Sequence, residues 1–98
     1  MLMIRSFKDK DTENFYNRQQ VNRFSGLERT ALKRLRILDS APTLETLTRL
    51  PGNRLESFEN DNGEQYNAIR INEQWYVCFR WIEGAEDVEI ANYHQRGR

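Results

Sequence analysis

Six side chains in the C-terminal half of the sequence carry groups that hold a phosphate or move a proton: Arg54, Glu56, Arg70, Tyr76, Tyr93 and His94. Whether they can meet depends on alternation, because successive side chains of a strand point to opposite faces. Ile69 and Ile71 share one face, so Arg70 takes the other. Trp75, Val77, Phe79 and Trp81 form the apolar face of the next stretch, which leaves Tyr76, Cys78 and Arg80 opposite. Leu55 is set against Arg54 and Glu56 in the same way. One sheet face is therefore expected to gather Arg54, Glu56, Arg70 and Tyr76 around Tyr93-His94. Such a set can cut RNA without a metal. A carboxylate or imidazole takes the 2′-hydroxyl proton, arginine steadies the charged phosphorane, and an acid protonates the leaving 5′-oxygen. Each residue also has an ordinary structural role open to it: His94 as a surface residue, Arg70 as a solvated cation paired with an acid, Glu56 as a charged strand residue, Tyr93 as a ring closing the core edge. Pattern alone leaves both open.

The elements that must position these groups follow from periodicity. Met3-Ile4-Arg5-Ser6-Phe7 alternates and predicts a short first strand. Asp11-Thr12 is placed to cap a helix that carries Phe15 and Tyr16 to about Gln19. Leu27, Ala31, Leu35 and Leu38 make one apolar stripe on a helix from Leu27 to Ser40, which Ala41-Pro42 ends. A helical turn through Leu44, Leu47 and Leu50 stops at Pro51-Gly52. Beyond it the period changes to two, with strands expected over Arg54–Phe58, Tyr66–Ile71, Trp75–Ile82 and Val88–Tyr93. Turns at Asp61-Asn62-Gly63, Asn72-Glu73-Gln74 and Glu83 to Asp87 are close enough to favour antiparallel pairing. The fold class is α+β, with helices on one face of a meander.

Composition sets the outer limits. A chain of 98 residues fits one domain, 1–98. Hydrophobic content of 38% against 31% charged is too apolar for disorder. Cys78 is the only cysteine, which rules out an internal disulfide and a cysteine-built metal site and suits a reducing compartment; it reads as a small buried hydrophobe. The sequence reads as neither membrane-spanning nor secreted. Lys+Arg and Asp+Glu both number 15, and a protein that binds duplex DNA through bulk electrostatics is normally basic, whereas a basic region can face RNA phosphate even at zero net charge. The charge is nonetheless uneven. Bases dominate from Arg23 to Arg54, and acids dominate from Glu56 to Glu89.

The order of short motifs adds a resemblance. Met3-Ile4-Arg5-Ser6-Phe7, Leu35 through Asp39-Ser40-Ala41, Leu47-Thr48-Arg49, Pro51-Gly52-Asn53-Arg54-Leu55-Glu56, Tyr66-Asn67-Ala68-Ile69-Arg70-Ile71-Asn72, Gln74-Trp75, Cys78-Phe79-Arg80-Trp81 and Val88-Glu89-Ile90 before Tyr93-His94 together resemble HigB-like killer proteins of the RelE superfamily. The likeness runs from about Met3 to His94, leaving 1–2 and 95–98 as ends. It implies a RelE-like fold, an N-terminal strand and helices packed on one face of a mainly antiparallel sheet of about four to five strands. It also implies a cytoplasmic, ribosome-dependent endoribonuclease acting on translated mRNA, with no cofactor or metal. The implied partner is a HigA-like helix-turn-helix antitoxin, through which alone operator DNA would be contacted. By position, the resemblance gives Glu56, Arg70, Tyr93 and His94 catalytic roles and Arg49, Arg54, Tyr76 and Asn92 RNA contacts. Two departures stand out: Tyr76 where the family often has arginine, and Asn92 where it often has aspartate. Arginine clamps phosphate bidentately and tyrosine does not, and an asparagine is no base. They imply the alternative of a catalytically weakened module that binds its antitoxin and modulates operon repression.

Overall fold

The computed structural model describes residues 2–50, 52 and 54–92. Helix α1 spans Lys10–Tyr16 and starts two residues earlier than an Asp11 cap suggested, because Asp9 is the cap. Asp9 lies in extended backbone, and its carboxylate accepts the Thr12 N–H at 3.3 Å and the Thr12 hydroxyl at 2.7 Å. The helix stops at Asn17 and short of Gln19, where Arg18 turns the chain at a φ of 73°. A single 3-10 turn at Asn22–Phe24 leads into α2, Glu28–Ser40. Ala31, Leu35 and Leu38 on α2 are fully buried, and the helix ends at Ala41 before Pro42 as expected. The short α3, Leu44–Thr48, is capped by the Thr43 hydroxyl.

Four antiparallel strands follow in the order β1-β2-β3-β4: Glu56–Glu59, Gln65–Arg70, Trp75–Trp81 and Ala85–Asn92. The last begins three residues before the expected Val88. Glu86 and Asp87 read as turn residues but belong to the strand: Glu86 pairs with Arg80, and a bulge follows, with the register slipping between Cys78 and Arg80 and Asp87 at a φ of 54°. Short polar side chains tolerate that conformation better than most. Arg80 then reaches the Asp87 carboxylate at 3.1 Å.

The expected first strand is the part that differs most. Residues 3–8 run parallel to β4 but meet it at two isolated bridges, Ile4 with Ala85 and Phe7 with Val88. The bulge at Asp87 interrupts the ladder between them. Backbone bonds of 2.7–3.0 Å (Arg5 N–H to Ala85 O, Ala85 N–H to Met3 O, Val88 N–H to Ser6 O) nevertheless close that edge of the sheet. Gly84 makes the approach possible, since a Cβ there would stand 2.7 Å from the Met3 carbonyl oxygen. Farther along, the buried Ile90 N–H donates to Thr12 Oγ1 at 3.0 Å, so α1 completes what the first segment leaves open.

The core lies between the helices and one sheet face. Leu35, Leu38, Leu47 and Phe24 meet Ile69, Val77, Phe79, Val88 and Ile90, all essentially fully buried. Each contributes about 1.5–3 kcal/mol by leaving water. Trp75 and Trp81 pack against the same cluster, Trp75 edge-on to Phe24 at 5.9 Å. Among the described residues no helix covers the other sheet face.

Candidate functional site

Register decides what that uncovered face displays. Glu56 pairs with Ala68, Arg70 with Tyr76, and Tyr76 with Ala91. Glu56, Arg70 and Tyr76 therefore lie on one face, away from the helices. Their surroundings differ. Tyr76 is only 7% exposed and joins Ala68, Cys78, Ala91 and Phe58 in a small apolar floor. Arg70 is half-buried beside it, and Glu56 is exposed at the start of the edge strand. Asn92 is the register partner of Trp75, which puts it on the helix-facing side of the sheet, opposite to Arg70. Tyr93 and His94 lie outside the described residues. Cys78 is a buried free thiol in the apolar floor.

Charge is compensated at one end of this face and not at the other. At the far end Lys8 Nζ is 3.3 Å from the Glu89 carboxylate and 5.6 Å from the Tyr66 ring centre. Burial pulls the Lys8 ammonium down, but Glu89, Tyr66 and Asp87 outweigh it and hold its proton above the ordinary lysine range. Arg80 is likewise matched by Asp87 at 3.1 Å. Arg70 and Arg54 make no ion pair among the described residues. Arg70 instead donates from Nε to the Asn72 carbonyl at 3.1 Å.

Arg54 lies just outside the strand. Continuing the β1–β2 register two residues before Glu56 would set Arg54 directly opposite Arg70, two like charges face to face, an unfavourable pairing. The chain leaves the strand there, with Arg54 at a φ of 49°. This is why β1 starts at Glu56 and not at Arg54. The result is a pocket of about 450 Å³ at the end of the sheet, lined by Arg34, Gly52, Arg54, Arg70, Asn72 and Glu73 with Ile71 as its apolar wall. Arg34 comes from α2, and its Nε donates to the Arg70 carbonyl at 3.1 Å. The candidate set read from the sequence omitted Arg34. The available signal was its place in the apolar stripe, three residues after Ala31 and four before Leu38, which turns a helical side chain toward the sheet. Arg49 stands apart on α3, exposed and bonded to Glu45 at 3.1 Å.

Among the described residues no three His, Cys, Asp or Glu side chains converge on a point that could hold a metal ion. No helix among them is long and apolar enough to cross a membrane. What the face can do is bind an anion where β2 ends and present a carboxylate next to it. The sequence model of HigB-like toxins, described as the RelE-like toxin of type II toxin-antitoxin system HigB, matches residues 5–95. The chain is also 37% identical over 84 residues to Toxin HigB-1 of Vibrio cholerae serotype O1, covering 84% of this chain and 87% of that protein. With an α+β fold, a four-stranded antiparallel sheet and this likeness over most of its length, the chain belongs to the HigB-like family of RelE-like toxins in type II toxin-antitoxin systems.

Proposed function

We infer that this toxin is a ribosome-dependent endoribonuclease that cuts translated mRNA in the cytoplasm by acid–base catalysis. The observation that carries the reading is Arg70, a guanidinium without an ion pair among the described residues, on the same open face as Glu56. In this mechanism Glu56 takes the proton from the 2′-hydroxyl, whose oxygen attacks the adjacent phosphorus. Arg70 stabilises the charge of the phosphorane, and Tyr93 orients it. The P–O5′ bond breaks as His94 donates a proton to the leaving oxygen, giving a 2′,3′-cyclic phosphate and a 5′-hydroxyl. Of the RNA contacts that the resemblance implies, Arg54 is best placed beside Arg70, Tyr76 lies on the same face but in its apolar floor, and Arg49 and Asn92 lie away from it. Each proton-transfer group is worth about 10²–10⁴-fold in rate. The antitoxin that a type II toxin requires is read as a HigA-like helix-turn-helix protein, and contact with operator DNA runs through it.

The test is inducible expression of wild type and His94→Ala, following growth and cleavage of translated messages. Wild type should arrest growth and cut, and His94→Ala should do neither. Equal arrest by both removes His94 from the mechanism.

A second reading, a weakened toxin that binds its antitoxin and tunes operon repression, draws support from Tyr76 and Asn92. Tyr76 is sunk in the apolar floor where an arginine would carry charge to the surface, and Asn92 sits on the helix side of the sheet. It predicts that wild-type expression is harmless and that Tyr76→Arg with Asn92→Asp restores toxicity.

A further inference from the structure

We propose that the outward side of α2 is the seat of the antitoxin, and that the segment it takes is an acidic, amphipathic helix of about three turns. The proposal rests on the protein partner that a type II toxin requires and is independent of the catalytic reading. It starts from an open groove of about 470 Å³ lined by Arg29, Leu32, Lys33, Arg36, Ile37 and Ser40, all from α2. Spacings of four and three put Arg29, Lys33 and Arg36 in one stripe, on the side of the helix opposite the buried Ala31, Leu35 and Leu38. The sheet lies beyond those three core residues, so the stripe looks away from the face of Glu56 and Arg70.

Charge on this stripe is uncompensated, and that sets it apart. Lys8, Lys10, Arg23, Arg49 and Arg80 each stand within 3.7 Å of a carboxylate. Arg29, Lys33 and Arg36 make no ion pair among the described residues. Asp39, three residues after Arg36, is turned inward to Met3, Ile4 and Tyr16. Like charges at these spacings repel and work against the helix that carries them. A row of carboxylates laid along the stripe removes that repulsion and supplies the missing partners.

The apolar surroundings favour a protein over a phosphate backbone. Leu32 and Ile37 flank the cations on either side and are only half-buried, which leaves apolar surface for a partner's side chains to cover. The groove ends at Ser40, where α2 meets the first segment. There the Met3 N–H donates to the Asp39 carbonyl at 2.8 Å, and the Ala85 N–H donates to the Met3 carbonyl at 2.7 Å. Those bonds bring Leu2, next to Met3, and Ile82, whose N–H meets the Gly84 carbonyl at 3.1 Å, to the same end. They are two of the three large apolar side chains left exposed among the described residues. Cations along the middle, with apolar residues beside and beyond them, fit a segment that carries carboxylates on one line and apolar residues around it. From Arg29 to Ser40 the helix runs about 17 Å, the length of about three turns. A helix packed nearly in line with α2 stays in contact over that whole length.

The test uses the toxin co-expressed and purified with its cognate antitoxin. A carbodiimide joins a lysine amine directly to a carboxylate that touches it and leaves phosphodiesters alone. Lys33 should cross-link to an aspartate or glutamate of the antitoxin, located by mass spectrometry, and Lys33→Arg should lose the cross-link while keeping affinity. Affinity is then measured with refolded toxin on immobilised antitoxin over a salt series. Arg29→Glu and Lys33→Glu should each weaken binding at least about tenfold and flatten its salt dependence. Lys10→Glu, an equal change of net charge at an exposed site on α1, should do neither. Arg29 and Lys33 are exposed, so both reversed variants should fold, with a Tm equal to wild type or slightly higher as the repulsion is relieved. Wild-type affinity in both reversals, or an equal loss in Lys10→Glu, would overturn the proposal. So would reversals that spare the antitoxin complex and weaken binding of a single-stranded 2′-O-methyl hexanucleotide, since the stripe would then face nucleic acid. None of these readouts involves cleavage, so weakened complexes in Arg29→Glu and Lys33→Glu keep the seat even where His94→Ala still cuts and the catalytic reading fails.

Discussion

Asp39 shows how one side chain can hold three elements together. It sits on α2, 5% exposed, and accepts the Met3 and Ile4 N–H groups at 3.0 and 2.9 Å and the Tyr16 hydroxyl at 2.5 Å. Asp39→Ala leaves the Ile4 N–H and the Tyr16 hydroxyl without this acceptor, while the Met3 N–H keeps the Asp39 main-chain carbonyl at 2.8 Å, and it should cost about 2–4 kcal/mol. Asp39→Asn keeps an acceptor oxygen and should cost less, which urea unfolding of the two variants will rank. The Tyr16 end of this cluster gives stability a pH dependence. Partial burial first, and then the hydrogen bond to Asp39, push the Tyr16 hydroxyl up to about 12 from an ordinary value of 10.0. A group that holds its proton more tightly when folded stabilises fully below its unfolded value, and that contribution fades as pH rises from about 10 to about 12. The displacement corresponds to about 2.7 kcal/mol, which solvent screening of a partly exposed hydroxyl reduces to about 1–2 kcal/mol. Wild type should lose that much more stability than Tyr16→Phe between pH 9 and pH 12. Parallel losses in the two proteins would show that the alkaline transition belongs to other groups.

At the scale of elements, the seam between the first segment and β4 is the least forgiving. Gly84→Ala drives a methyl against the Met3 carbonyl, a backbone atom that cannot swing aside, and should cost about 1–3 kcal/mol. Thr12→Val removes the side-chain acceptor that the Ile90 N–H meets and should cost about 1–3 kcal/mol, because a buried donor is left unmade. Thermal unfolding of each variant checks both values. Neither contact was legible in the sequence, and the reason is physical. The α2 stripe and the Trp75–Trp81 alternation could be read because periodicity is local. Thr12 meeting Ile90, or Asp39 meeting Met3, depends on chain segments brought together only by the tertiary fold. The bulge at Asp87 was hidden for a related reason, since Glu-Asp favours a turn unless neighbours such as Ser6, whose hydroxyl accepts the Asp87 N–H at 2.8 Å, hold it in the ladder. The site was legible in the same proportion. Alternation put Glu56, Arg70 and Tyr76 on one face, but the burial of Tyr76 and the approach of Arg34 from α2 needed the packing of helix on sheet.

Over the whole molecule, the uneven charge of the sequence becomes a division between layers. The base-rich stretch supplies α2, α3 and Arg54, while the sheet layer carries acids from Glu56 to Glu89 with only Arg70 and Arg80 against them. Arg80 is matched by Asp87, so Arg70 is the sheet's unmatched cation among the described residues. It lies at the seam where the two layers meet. On the open sheet face Lys8 is matched by Glu89, Arg80 by Asp87, and the middle is apolar, so the attraction for a phosphate backbone is concentrated at that corner. With no net charge to add long-range attraction, free single-stranded RNA should bind at roughly 10⁻⁴–10⁻⁵ M at physiological salt, in the weak part of the non-specific range. On the proposed reading, productive cleavage then needs something else to hold the message in place, and a translating ribosome would do so by fixing the strand's path. The expected outcome is cleavage at least about 10²-fold faster for a message on ribosomes than for the same message naked, since positioning alone can supply factors of that size. Single-turnover assays of one labelled message in both states measure the ratio directly. A ratio near one, or binding of free RNA far tighter than this charge distribution supports, would mean that the sheet face grips its substrate unaided and that the corner at Arg70 is not where the strand is held.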